Sequence, residues 1–133
     1  MKTDIRDRND IIQLINGFYD KLLEDELMAP LFIDVARINL SEHLPILYDF
    51  WESTLFQAGK YRRDAMQPHL DLHFEHRLTN EHFERWLQLF DQTVDELFEG
   101  EIAQNAKVRA LSIATIIRIK IYNLEKKRLE LNN

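Results

Sequence analysis

Cysteine is absent from this chain of 133 residues. That excludes a disulfide framework, iron–sulfur clusters and thiol catalysis, and leaves any metal to His, Asp or Glu. Glycine and proline are scarce: average usage would place roughly sixteen of the two together in such a length, and three of each are present. Collagen-like chains, disordered linkers and turn-rich all-β folds all need more chain reversals than six residues provide. No uncharged apolar run approaches the ~18 residues of a membrane span; the most apolar stretch, 113–117, is soon followed by Arg118 and Lys120. Net charge is −6 at pH 7, a sign that repels a phosphate backbone. Neither nucleic acid nor a membrane is therefore an expected partner. The N-terminus carries Asp4 and Asp7 where a secretory leader would be unbrokenly apolar, so the expected location is the cytoplasm.

What remains is an all-α chain, long enough for one domain over residues 1–133 at roughly 150 residues per domain. Ile11, Ile15, Phe18 and Leu22, with Tyr19 beside them, recur at steps of three and four and line a first helix that should end before Pro30. Ser41 is a good N-cap for a second, with Leu44, Leu47, Tyr48, Trp51 and Leu55 on one face and Pro45 tolerated in its first turn. A third opens at Thr79, carries Phe83, Trp86, Leu87, Phe90, Val94 and Leu97, and meets Gly100 where a left-handed C-cap belongs. The fourth runs from about Ile102 to Leu129, with Ala106, Ala110, Ile113, Ile117 and Leu124 inward. Its Lys126-Lys127-Arg128 run solubilises the helix end and favours its dipole.

Two connections carry little apolar periodicity, 30–40 and 57–78. The second exceeds the length of an ordinary bundle turn, and such loops are usually functional or disordered. It holds Tyr61, Met66, His69, His73, Phe74 and His76, too apolar and too rich in ligand-type side chains for plain disorder. His69, His73 and His76 stand at i, i+4 and i+7, a spacing able to stack imidazoles on one helical face around a divalent metal. Pro68 interrupts that helix, and no carboxylate stands where a His-Glu-x-x-His motif would place one. Solvated surface histidines are the plainer account of His73, His76 and His82.

Three side chains elsewhere have a plain structural reading beside a chemical one. Tyr19 lies on a core-facing stripe, so its hydroxyl needs a buried partner. Trp86 offers an indole N–H from the middle of the clearest stripe. His43 begins the second helix, one turn before Leu47, where an imidazole can donate inward or swing outward as a gate.

In chain order these residues make a series: Phe18-Tyr19, Pro30-Leu31-Phe32, His43-Leu44-Pro45, Phe50-Trp51, Met66-x-x-His69 and His82-Phe83-x-x-Trp86-Leu87. From about residue 4 to residue 120 the series resembles a truncated haemoglobin of the third group, and the lack of Gly-Gly pairs fits that group. The resemblance implies a two-over-two helical sandwich around one haem b. It maps His69 onto the proximal iron ligand, Phe32 onto the aromatic against the haem plane, and Tyr19, His43, Leu47 and Trp86 onto the distal pocket. Phe50 becomes a pocket wall and Trp51 core, Met66 is part of the local pattern that selects His69, and Tyr61 and Arg62 become candidate partners of the propionates. The implied function is binding of oxygen, nitric oxide or carbon monoxide. A pocket of hydrogen-bond donors suits redox chemistry on nitric oxide or peroxide, with a reductase as partner, better than bulk oxygen delivery. Read without the resemblance, the same residues leave open a cofactor-free helical interaction module or a His-rich divalent-metal protein.

Overall fold

Apolar side chains at helical spacing need a surface to bury against, and the chain meets that need by crossing helices over one another. The computed structural model describes residues 2–34, 40–56 and 78–131, apart from the side chains of 32–34 and 40. Among them lie α1 (Arg8–Glu24), α2 (Ala29–Asp34), α3 (Leu40–Phe56), α4 (Asn80–Leu97) and α5 (Glu101–Leu131), and no strand. Helix α1 packs on both α3 and α4, and α4 packs on α5, which also touches α3. This is the two-over-two arrangement the sequence implied. No helix among the described residues is long and apolar enough to cross a membrane.

The core is centred on α1, whose Ile11, Leu14, Ile15, Phe18, Tyr19 and Leu22 are all buried. Gly17 lets α4 come close: a Cβ there would meet Thr93 Cγ2 at 3.3 Å. On α4, Phe90 and Val94 are fully buried. Ala103, Ala106, Ala110 and Ala114 form a small-residue seam along α5. Trp51 is core, as expected, and stacks on Phe90 at 5.0 Å between centroids.

Several local expectations are corrected. Pro30 does more than follow the end of α1, since it occupies the first turn of the short α2, where its missing N–H costs nothing. Helix α3 begins at Leu40, so Ser41 lies inside it and Pro45 sits in the second turn, deleting one helical hydrogen bond. His82 is not a plain surface histidine: its Nδ1 accepts from the Thr79 N–H at 3.0 Å while Thr79 Oγ1 accepts from the His82 N–H at 3.4 Å, a reciprocal cap on α4. Gly100 is not the C-cap of α4. That helix closes at Phe98, whose N–H donates to the Val94 carbonyl at 2.8 Å. Leu124 is 37% exposed, and Ile121, at 6%, holds the inward place expected of it.

Gly100 instead precedes α5 with φ of +151°, and an added Cβ would lie 2.4 Å from Asp4 Cγ. Only glycine admits both the backbone angle and the approach. Asp4 uses that approach to cap α5, accepting from the N–H groups of Ile102 at 2.9 Å and Ala103 at 2.8 Å. Burial opposes its ionisation, but bonds from the backbone N–H groups of Ile102, Ala103, Ile5 and Glu101 outweigh that and hold its pKa below the usual carboxylate value. The N-terminal segment thereby ties the start of α5 to α1.

Candidate functional site

Two ionic contacts join α3 to α1. Arg8, in the first turn of α1, donates to Asp49 at 2.8 Å and to Glu52 at 2.9 Å, and its guanidinium lies 5.9 Å from the centre of the Tyr48 ring. With its far end anchored in this way, α3 brings its N-terminal turn across Tyr19.

There the predicted residues meet. The Tyr19 hydroxyl and His43 Nε2 are 3.2 Å apart, a hydrogen bond between α1 and α3. Their rings meet edge to face, with centroids 6.1 Å apart. Tyr19 is buried, and burial pushes the phenol's pKa up. The hydroxyl therefore stays neutral and keeps its proton to donate. His43 is half-buried, placed to reach both the interior and the rim.

Trp86 joins the same region through its neighbours. Phe18 stands edge-on to Tyr19 at 5.9 Å and to Trp86 at 5.6 Å, and Trp86 stacks on Phe90 at 5.9 Å with 14° between the planes. Phe90 thus lies between the two tryptophans, stacked on both. Leu47, Phe50 and Trp86 are half-buried at the edge of this core, and Phe50 meets Trp51 edge-on at 5.5 Å. The structure therefore brings Tyr19 against His43 and, through Phe18, links Tyr19 to Trp86, while Leu47 and Phe50 pack on the same core.

Phe32 belongs to α2, with its side chain outside the described set. His69, Met66, Tyr61 and Arg62 lie outside the described residues, as do His73 and His76. Among the described residues, no group of three His, Cys, Asp or Glu side chains gathers as a metal site would require.

The donor set is chemically specific. One phenol, one imidazole and one indole border apolar and aromatic side chains, a setting in which neutral hydrogen bonds strengthen because water does not compete. Such a site suits a flat, largely apolar group that presents a weakly charged ligand to the donors, and these residues fit a haem. The sequence places Phe90 as a stripe residue, and Phe18 as a stripe residue and part of the Phe18-Tyr19 pair. Their role as the rings joining Tyr19 to Trp86 had no local signal, because it depends on how α1 crosses α4.

The bacterial-like globin family model matches residues 4–119. The chain belongs to that family. Among its relatives is the group 3 truncated haemoglobin ctb of Campylobacter jejuni, 28% identical over 125 residues that cover 92% of this chain and 96% of the relative. The crystal structure of the group III truncated haemoglobin from Campylobacter jejuni superposes with a TM-score of 0.81 at 27% identity, again over 92% of this chain and 96% of the other. The globin is thus similar to the group its sequence resembles, and its all-α architecture is theirs. Family membership brings haem binding with it, and with haem the binding of diatomic ligands.

Proposed function

We propose that this globin binds one haem b, with His69 as the residue that would hold its iron and Tyr19, His43 and Trp86 as the residues that would meet the bound diatomic ligand. When bound, the haem would supply an iron that takes oxygen, nitric oxide or carbon monoxide. Phe32, Leu47, Phe50 and Met66 would supply its aromatic and apolar contacts, and Tyr61 and Arg62 would pair with the propionates. The observation that carries this reading is the buried, neutral Tyr19 hydroxyl within hydrogen-bonding distance of His43, linked to Trp86 through Phe18.

The chain's own residues have separable tasks. Tyr19 holds a proton at its hydroxyl and donates it to whichever acceptor enters the pocket. His43 is the acceptor or donor that keeps this hydroxyl oriented, and its half-buried ring stands between the interior and water. Trp86 is held flat by Phe90 and edge-on by Phe18, so its N–H direction is set by packing rather than by a flexible stem. Water is excluded by Leu47 and Phe50. Donors of this kind slow the escape of a ligand that draws negative charge, which suits redox chemistry on nitric oxide or peroxide, with electrons from a reductase, better than oxygen delivery.

The test is the ultraviolet–visible spectrum of the purified protein with and without added haemin, in the parent and in His69→Ala, His73→Ala and His76→Ala. One haem per chain and a ferrous spectrum altered only in His69→Ala are expected. An unchanged spectrum and haem affinity in His69→Ala would remove His69 from the iron, and failure to take up haemin at all would overturn the reading.

A further inference from the structure

Between α1 and α2 the chain turns at Asp25, and this residue holds the turn through both its backbone and its side chain. Its N–H donates to the Lys21 carbonyl at 3.0 Å, closing α1, and its carbonyl accepts from the Ala29 N–H at 2.8 Å, where α2 begins. Its Oδ2 accepts from the N–H groups of Leu27 at 3.1 Å and Met28 at 3.0 Å. Its Oδ1 lies 3.7 Å from the guanidinium of Arg85 on α4, the residue that precedes Trp86. The carboxylate is 13% exposed. Met28 is 3% exposed, so water is poorly placed to replace that carboxylate at the Met28 N–H.

Two kinds of force therefore place α2. Met28 and Leu31 bury against the core and hold the segment down. Burial is non-directional, so by itself it leaves a short segment room to roll. Hydrogen bonds are directional, and two of them converging on one oxygen fix the backbone of 25–28 from which α2 starts. Helix α2 has six residues, too few to hold itself by its own hydrogen bonds. Its setting comes from the turn that delivers it, and Phe32 follows Leu31 directly in that helix.

We infer that Asp25 is a positioning residue for the haem: its carboxylate fixes the turn that delivers Phe32, through the short reach of its oxygen rather than through its charge. The inference rests on the reading of Phe32 as an aromatic contact of the haem. The ion pair is secondary, because the Arg85 side chain is 42% exposed and such pairs contribute little. Asparagine at this position keeps an oxygen at the same reach for both N–H groups, whereas glutamate keeps the charge on a longer stem that does not close the same turn.

The experiment measures release of haem from the loaded full chain to excess apomyoglobin, together with circular dichroism of the Soret band, which reports the setting of the haem. Asp25→Ala and Asp25→Glu should release haem about tenfold faster than the parent and alter the band, as loss of a supporting group does at a bound metal. Asp25→Asn should restore both readouts to parent values. Asp4→Ala, which removes a cap on the distant α5, should leave both unchanged. In a Phe32→Ala background, itself faster to release haem, Asp25→Glu should add nothing. Parent behaviour in both Asp25→Ala and Asp25→Glu, no rescue by Asp25→Asn, or a full added effect on Phe32→Ala would overturn the inference. Equal acceleration in Asp4→Ala would overturn it too, by showing that release follows stability alone. Parent release from Phe32→Ala would instead remove Phe32 from the haem, and the inference with it.

Discussion

Tyr19→Phe removes one oxygen from the core and keeps the ring, so its effects can be worked from two hydrogen bonds. The hydroxyl is engaged with His43 at 3.2 Å, a neutral bond worth about 1 kcal/mol net. A bond to a ligand that draws negative charge is worth about 1.5–3 kcal/mol. As the ligand leaves, the hydroxyl returns to His43, so retention gains only the difference, about 1.4 kcal/mol, or about tenfold in release rate. The phenylalanine variant should therefore release oxygen about tenfold faster by stopped-flow mixing. Its unfolding free energy should fall by no more than about 1 kcal/mol, because the half-buried His43 can turn to water for its lost partner. Release within twofold of the parent would show that the hydroxyl serves the α1–α3 contact alone, and the donor role of Tyr19 would be withdrawn.

Gly100→Ala should destabilise the fold by about 2 kcal/mol or more, since it combines a backbone angle disfavoured for L-residues with a clash against Asp4; a urea midpoint equal to the parent's would refute the close approach. Asp4→Ala should cost about 1 kcal/mol through loss of the α5 cap. Because the folded pKa of Asp4 is depressed, its contribution is fully present above the unfolded value near 3.8 and is lost as pH falls through the lower folded value. The gap between parent and variant in urea melts should thus be full at pH 7 and shrink as the pH is taken below that value; a gap that does not change with pH would show that the charge of Asp4 is irrelevant to the cap.

Much of the fold is legible along the chain because amphipathic periodicity is a local property. The stripe of α1 and the Thr79 start of α4 follow from spacing and from one good capping residue, and the structure keeps both. On α5 the expected inward face holds through Ala106, Ala110 and Ile117, with Ile113 packed against the core, but Leu124, one heptad after Ile117 on the same face, is 37% exposed, and where along a helix its packing partners end is not a local property. Pro45 was misplaced by one turn for a related reason: Ser41 is a plausible cap, and nothing local shows that the helix begins before it.

The candidate site divides in the same way. The sequence by itself determined the helical class, the family to which the chain belongs, and the demand that a buried Tyr19 hydroxyl find a partner. The tertiary structure alone decided that the partner is His43, that Phe18 and Phe90 hold Trp86 in place, and that Asp4 caps a helix nearly a hundred residues away. The reason is physical. Helix periodicity and the cost of an unpaired buried hydroxyl are read within a few residues, whereas a hydrogen bond across α1 and α3, or a carboxylate seated against Gly100, exists only after helices distant in the chain have crossed.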